Sequence, residues 1–384
     1  MKTIYMDNNA TTRTAPEVVE AMAPFWSERY GNPSSAHRFG GNVRTMVDAA
    51  RAETADLLGA SPDEIVFTSG GSESDNMAIR GVLDALEGRK RHVVTTRVEH
   101  PAVLAVCRAL KNQGVPVTEL PVEADGSLDM GGLEEAVTPD TAVVSVMWAN
   151  NETGVMFPIE KIAGIVKSQG ALLHTDAVQA VGKIPIDLSR IPVDLLSLSA
   201  HKFHGPKGIG ALYIREGTQV SPLVLGGHQE GSKRAGTENT PGIAGLGAAC
   251  SLARRNLDQE GTRVKGLRDR LETGVLETCK GARVNGKTRL PNTLNVSFEY
   301  IEGESILLKL DQFGICASSG SACTSGSLEP SHVLRAMGVP FTASHGSIRF
   351  SLSRYTTEEE IDAVLERLPG IVDGLRALSP FVKD

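Results

Sequence analysis

Six short apolar runs punctuate the first part of the chain: "EIVFTSG", "RHVVTTR", "TAVVSVMWAN", "ALLHTDAV", "VDLLSLSAHK" and "IGALYIR", with helix-length stretches between them. A strand with one wet face alternates apolar and polar residues, whereas a continuous Val-, Ile- and Leu-rich run must be covered on both faces. Such runs, spaced by helices, predict a mostly parallel sheet between helical layers, an α/β domain over residues 16–254. Beyond residue 255 the pattern changes to a helix, strand-like alternation in "LPNTLNVSFEY", a helix in "ESILLKLDQFG", a strand in "GSIRFSLS" and a last helix. Thr357 and Glu360 form a capping box that starts this last helix. The C-terminal part therefore reads as a smaller α+β domain.

Length and composition exclude several classes. With 384 residues, 41% of them hydrophobic and 22% charged, the chain supports two or three ordinary cores. A net charge of -7 without a long Lys/Arg run argues against a nucleic-acid groove or an anionic membrane surface. The five cysteines, Cys107, Cys250, Cys279, Cys316 and Cys323, include no C-x-x-C pair, so neither a disulfide framework nor a thiolate metal site is expected. "MKTIYMDNNATTRTAPE" has no apolar core of signal-peptide length, and a cytoplasmic location is expected.

In open α/β sheets, ligands bind beyond the carboxyl ends of the strands, and here the runs end in polar or Gly-rich residues. "TSGGSESDN" places Ser69, Gly70, Gly71 and Ser72 between a strand and a helix, either as a bare turn or as a phosphate site built from backbone N–H groups. Lys202, in "SLSAHKFHGPKG", is either a solvated lysine or an amine placed to form a Schiff base with a carbonyl cofactor. Asp176, in "LLHTDAVQ", is either a helix N-cap or the partner of a pyridinium nitrogen in pyridoxal phosphate. Asp176 and Lys202 one strand apart favour the cofactor. By contrast "GARVNGKT", residues 281–288, matches the P-loop spacing, but Pro291 prevents the helix that a phosphate would need.

The ordered motifs "YMDNNATT", "GNPSSAH", "FTSGGSESDN", "EHPAV", "NNETG", "HTDAVQ", "SLSAHKFHGPKG", "RAGTEN", "ASSGSACTSGSLEPSHVLRAMG" and "IRFSLSRYTTEEEID" resemble those of the cysteine desulfurases. These are pyridoxal-phosphate enzymes of the class V aminotransferase family. "SVMWANNETG", "GGHQEGSKRAGTEN" and "FEYIEGE" are similar to the NifS type, which is associated with nitrogenase maturation. The resemblance covers nearly the whole chain. It implies the aspartate aminotransferase-like architecture, pyridoxal-phosphate fold type I: a seven-stranded sheet in the large domain, with residues 1–15 joining 255–384 in the small one.

Carried over by motif, the Schiff-base lysine falls on Lys202, the pyridinium partner on Asp176, the phenolate-oxygen partner on Gln179 and the ring-stacking histidine on His100. Phosphate contacts fall on Gly71, Ser72, Ser199 and His201, with Thr237 reaching across from a second subunit of a homodimer. Substrate carboxylate recognition falls on Asn151 and Arg349, whose planar fork suits that group, and the nucleophile falls on Cys323. Ser72 and Ala200 depart from the commoner Thr and Gly of the family but keep a hydroxyl or a small side chain.

The implied reaction converts L-cysteine to L-alanine while Cys323 takes the sulfur as a persulfide, with Lys202 and His100 as candidate bases. An iron-sulfur scaffold protein is the expected sulfur acceptor. The small residues around Cys323, in "SSGSACTSGS", suit a segment (about 317–330) that carries sulfur from cofactor to acceptor rather than packing in place. A selenocysteine lyase would use the same residues. An aminotransferase would need no such thiol, and a non-catalytic scaffold would have lost Lys202 or Cys323.

Overall fold

The computed structural model describes residues 3–319 and 330–380. A short strand, β1 (Ile4–Tyr5), leads into seven strands of one sheet: β2 (Ile65–Thr68), β3 (His92–Thr96), β4 (Val117–Leu120), β5 (Thr141–Ser145), β6 (Leu172–Asp176), β7 (Leu195–Ser199) and β8 (Gly210–Ile214). Their order is β2-β8-β7-β6-β5-β3-β4; all pairs are parallel except those of β8, which runs against both β2 and β7. The mostly parallel seven-stranded sheet expected from the resemblance is the one observed.

Successive residues of each strand enter different cores, which is why the runs are continuously apolar. Val94, Val144, Leu173 and Leu196 join one cluster with the helix Ile159–Ser168. Val93, Val143, Leu195 and Leu212 join another, under the helices Gly71–Ala85 and Pro101–Asn112. The edge strand β4, "VTEL", has only Leu120 buried, and no apolar run marks it.

The C-terminal part contains β9 (Ala282–Val284), β10 (Thr293–Phe298), β11 (Ile315–Cys316), β12 (Ser318–Ser319) and β13 (Ser347–Ser351). Four of these form an antiparallel sheet, β12-β13-β10-β9, while β11 pairs with β1 in parallel. One helix, Thr240–Thr278, runs through the 254/255 boundary expected from sequence. Past Pro241 it contains no proline to stop it. Its first half adds Ile243, Leu246 and Ala249 to the large core, and its second half adds Val264, Leu267 and Leu271 to the core of the smaller sheet. The P-loop-like "GARVNGKT" is strand β9 followed by a turn, without a helix. The capping box of Thr357 and Glu360 opens the helix Glu358–Leu378.

Candidate active site

Strands β2, β3, β5, β6 and β7 point the same way, so the loops after them gather at one edge of the sheet. His100, Asn151, Asp176, Ser199, Lys202 and the turn Ser69–Ser72 all lie there.

His100 caps the helix Pro101–Asn112: its Nδ1 accepts from Ala102 N at 3.1 Å, which leaves the proton of the neutral ring on Nε2. Burial lowers its pKa, against the opposing pull of Asp176. Ligand atoms of His100, Asp176 and Asp75 lie within 4.8 Å of one another. Burial raises the Asp176 carboxyl, while His100, the N–H of Val178 at 2.9 Å and Lys202 oppose the rise. Asp75, from the helix Gly71–Ala85, is raised well above the carboxylate range, first by burial and then by the charge of Asp176. Its Oδ1 is buried without a hydrogen-bond partner among the described residues, with His174 Nε2 3.6 Å away. Two buried carboxyls this close favour a cationic N–H donor beside them, which is the demand a pyridinium nitrogen would meet.

The helix Gly71–Ala85 has no side-chain cap, and its N-terminus opens on a cavity lined by Gly70, Gly71, Ser72, Ser199, His201 and Lys207. A Cβ on Gly71 would stand 2.7 Å from Val178 Cγ2, so the backbone can approach here only as glycine. Open first-turn N–H groups, two hydroxyls and a lysine suit a phosphate. Burial, then Lys202 and Lys207, lower His201 to about 4, so it contributes a neutral ring; its Nδ1 lies 3.1 Å from Thr11 Oγ1. These donors and the paired carboxyls fit pyridoxal phosphate at its two ends.

Lys202 follows β7 in a 3₁₀ turn, and its Nζ donates to Asn9 O at 2.6 Å and Ala10 O at 2.8 Å. Gln179 Nε2 donates to the same Asn9 carbonyl at 3.0 Å, and its Oε1 accepts from Lys183 Nζ at 2.7 Å. Burial holds the Lys183 amine well below the usual lysine range, with Lys202 and Arg349 adding to the effect.

Arg349 lies inside β13, 3% exposed, and reaches the same place from the smaller sheet. Its Nη1 donates to Asn151 O at 3.0 Å and its Nη2 to Asp7 Oδ1 at 2.6 Å. Next to Asn151, Glu152 is buried and accepts from the hydroxyl of Ser331; burial raises it to about 7, with Ser331 and Arg349 opposing.

The structure thus brings together His100, Asp176, Gln179, Lys202, Gly71, Ser72, Ser199, His201, Asn151 and Arg349. Thr237 is exposed and does not line the cavity near Gly71; three residues before it, Arg234 pairs with Glu73 at 2.8 Å. Cys323 lies outside the described residues. Sequence reasoning missed Asp7, Asn9, Asp75 and Glu152. All four sit in motifs it had quoted, "YMDNNATT", "FTSGGSESDN" and "NNETG", but no local pattern distinguishes a buried carboxylate from a surface one.

Residues 4–364 match the family described as Aminotransferase class-V. A cysteine desulfurase of Trichormus azollae is 58% identical over 386 residues, covering 100% of this chain and 96% of its own. The cysteine desulfurase NifS of Azotobacter vinelandii is 56% identical over 384 residues, covering 99% and 95%. Among solved structures, a NifS-like protein superposes with a TM-score of 0.92 at 42% identity, over 97% of this chain and 100% of its own. SspA in complex with cysteine gives 0.82 at 36% identity, over 93% and 100%. This chain belongs to the class V aminotransferase family.

Proposed function

We propose that the chain is a pyridoxal-phosphate-dependent cysteine desulfurase that turns L-cysteine into L-alanine and hands the sulfur on through Cys323. One observation carries the assignment of the site. Buried Asp176 beside His100, Lys202 one strand away and Arg349 from the other sheet converge at a single edge. Lys202 would hold the cofactor carbonyl, Asp176 the ring nitrogen and Gln179 the phenolic oxygen. His100 would cover the ring, and Gly71, Ser72, Ser199 and His201 would hold the phosphate. When bound, that cofactor supplies a conjugated electron sink that makes a substrate Cα proton acidic.

The protein's own groups do the rest. Arg349 and Asn151 orient the substrate through its carboxylate, which sets the Cα proton toward Lys202. The Lys202 amine takes that proton and returns it, and His100, protonated on Nε2 when neutral, delivers one nearby. Cys323, as thiolate, attacks the substrate sulfur: an S–S bond forms, the C–S bond breaks, and the carbon skeleton gains a proton to become alanine. The other four cysteines suit this role poorly. Burial raises each thiol, Cys107 and Cys250 up to about 12, so little thiolate forms there at neutral pH.

In this reading the enzyme is a homodimer in which Thr237 completes the second subunit's phosphate site; its exposure, on the segment that Arg234 ties to Glu73, supports that role. Likeness to the Azotobacter vinelandii NifS supports a role in iron-sulfur cluster assembly for nitrogenase, with a scaffold protein as sulfur acceptor. Five cysteines without a C-x-x-C pair, four of them free among the described residues, suit a reducing cytoplasm. The test is to incubate the cofactor-loaded protein with L-cysteine and a thiol reductant and to quantify alanine and sulfide. Equal amounts from the wild type, lost in both Lys202→Ala and Cys323→Ala, are expected. Undiminished turnover in Cys323→Ala would overturn the persulfide step.

A further inference from the structure

The contacts of Arg349 hold more than a binding role. Its guanidinium is spread over three directions: Nη1 to the Asn151 carbonyl, Nη2 to Asp7 Oδ1 at 2.6 Å, and Nε buried with no hydrogen-bond partner. Asp7 is held there by backbone pairing. It bridges in parallel to Ser351, two residues along β13 from Arg349, with Ser351 N donating to Met6 O at 2.8 Å and Asn8 N to Ser351 O at 3.1 Å. Asp7 is about one-fifth exposed at its side chain, whereas the guanidinium it holds is almost fully buried.

A guanidinium binds a carboxylate best through two parallel N–H groups. Asn151 and Asp7 take one N–H each of Nη1 and Nη2, so a carboxylate that pairs with two parallel N–H groups along the Nε–Nη2 edge competes with Asp7 for Nη2. We propose that Asp7 is a resident carboxylate that occupies the substrate-carboxylate position of Arg349, and that a ligand must displace it, which makes Asp7 a specificity-determining residue. The proposal rests on Arg349 being the carboxylate-binding residue.

The physical reason follows from burial. An uncompensated guanidinium in the protein interior is costly and attracts any available anion. Asp7 neutralises the charge in the resting enzyme and keeps the fork aimed. Tyr5 and Cys316, which also face Asp7, are raised by burial and by its charge, so they stay neutral and offer no second anion. A simple anion brings only charge and must exchange against a charge already in place. An amino acid brings its carboxylate together with the rest of its contacts in the site, and this surplus displaces Asp7. Displacing Asp7 costs both kinds of ligand alike, so a free small carboxylate, with no further contacts to offset that cost, binds too weakly to compete with an amino acid.

The experiment compares cofactor-loaded wild type, Asp7→Asn, Asp7→Glu and Arg349→Lys at low ionic strength. It measures kcat and KM for L-cysteine, and competitive inhibition by acetate and formate. The asparagine oxygen still accepts from Nη2, so the fork stays held while the competing charge is gone. For Asp7→Asn, KM is expected to fall about fivefold with kcat little changed, as displacement affects ground and transition states alike. Acetate and formate are expected to inhibit at concentrations lower by about tenfold. Asp7→Glu is expected to restore resistance to both anions, which a merely structural role for Asp7 would not produce. Unchanged or raised KM and unchanged anion inhibition in Asp7→Asn, with KM raised in Arg349→Lys, would overturn the role of Asp7 alone. An unchanged KM in Arg349→Lys would instead remove Arg349 from the substrate site.

Discussion

Glu99 gives the sharpest stability prediction. It follows β3, is 0% exposed, and its Oε1 accepts from Thr96 Oγ1 at 2.8 Å and Met147 N at 3.0 Å, while Oε2 has no partner. Burial pushes its carboxyl from the ordinary 4.5 up to about 8, because the two hydrogen bonds do not repay the loss of water. The folded protein then keeps a proton that the unfolded chain releases above pH 4.5. The Glu99 contribution to folding stability falls as pH rises through that window and levels off above about 8. Each pH unit in the window costs about 1.4 kcal/mol, a total of about 5 kcal/mol. Glu99→Gln has the shape of the protonated acid and removes the penalty. Its advantage over wild type should be about 1 kcal/mol at pH 5.5 and about 4 kcal/mol at pH 8. Urea unfolding of cofactor-loaded protein at fixed protein concentration reads the difference. A gap that does not grow with pH, or a glutamine variant less stable than wild type at pH 8, would refute a buried neutral Glu99.

Two further predictions concern local structure. Thr357→Ala removes the cap in which Thr357 Oγ1 accepts from Glu360 N at 3.3 Å, and should lower stability by about 1 kcal/mol, seen as a lower urea midpoint at unchanged slope. Gly71→Ala presses on Val178, whose N–H supports Asp176, and should weaken cofactor binding about tenfold in an absorbance titration of apo protein. An unchanged dissociation constant would show that the cradle tolerates a side chain.

The large sheet was legible because burial on both faces writes itself into continuous runs such as "TAVVS". The edge strand β4 was not, because three of its four residues are only partly buried. The boundary expected at 254/255 falls inside the helix Thr240–Thr278 because its apolar stripe changes partner halfway along. Lys202, Asp176 and Gly71 stood out at strand ends, where local grammar places ligands. Asp7, Asn9 and Glu152 act through partners more than a hundred residues away, and spacing along the chain carries no trace of such contacts.

The pairing of the first residues with β13 bears on how the protein is made. Asp7 with Arg349, Asn8 with Ser351 and Asn9 with Ser351 join positions 342 or 343 apart. During synthesis Asp7, Asn8 and Asn9 have no β13 partner until nearly the last thirty-five residues remain, and such distant pairings form late. The carbonyl of Asn9 meanwhile holds both Lys202 and Gln179. The nascent chain can therefore finish its large sheet long before its chemistry is assembled. In the proposed site, an incomplete polypeptide, even one that has already folded most of its mass, would lack Arg349 and with it the grip on the substrate carboxylate.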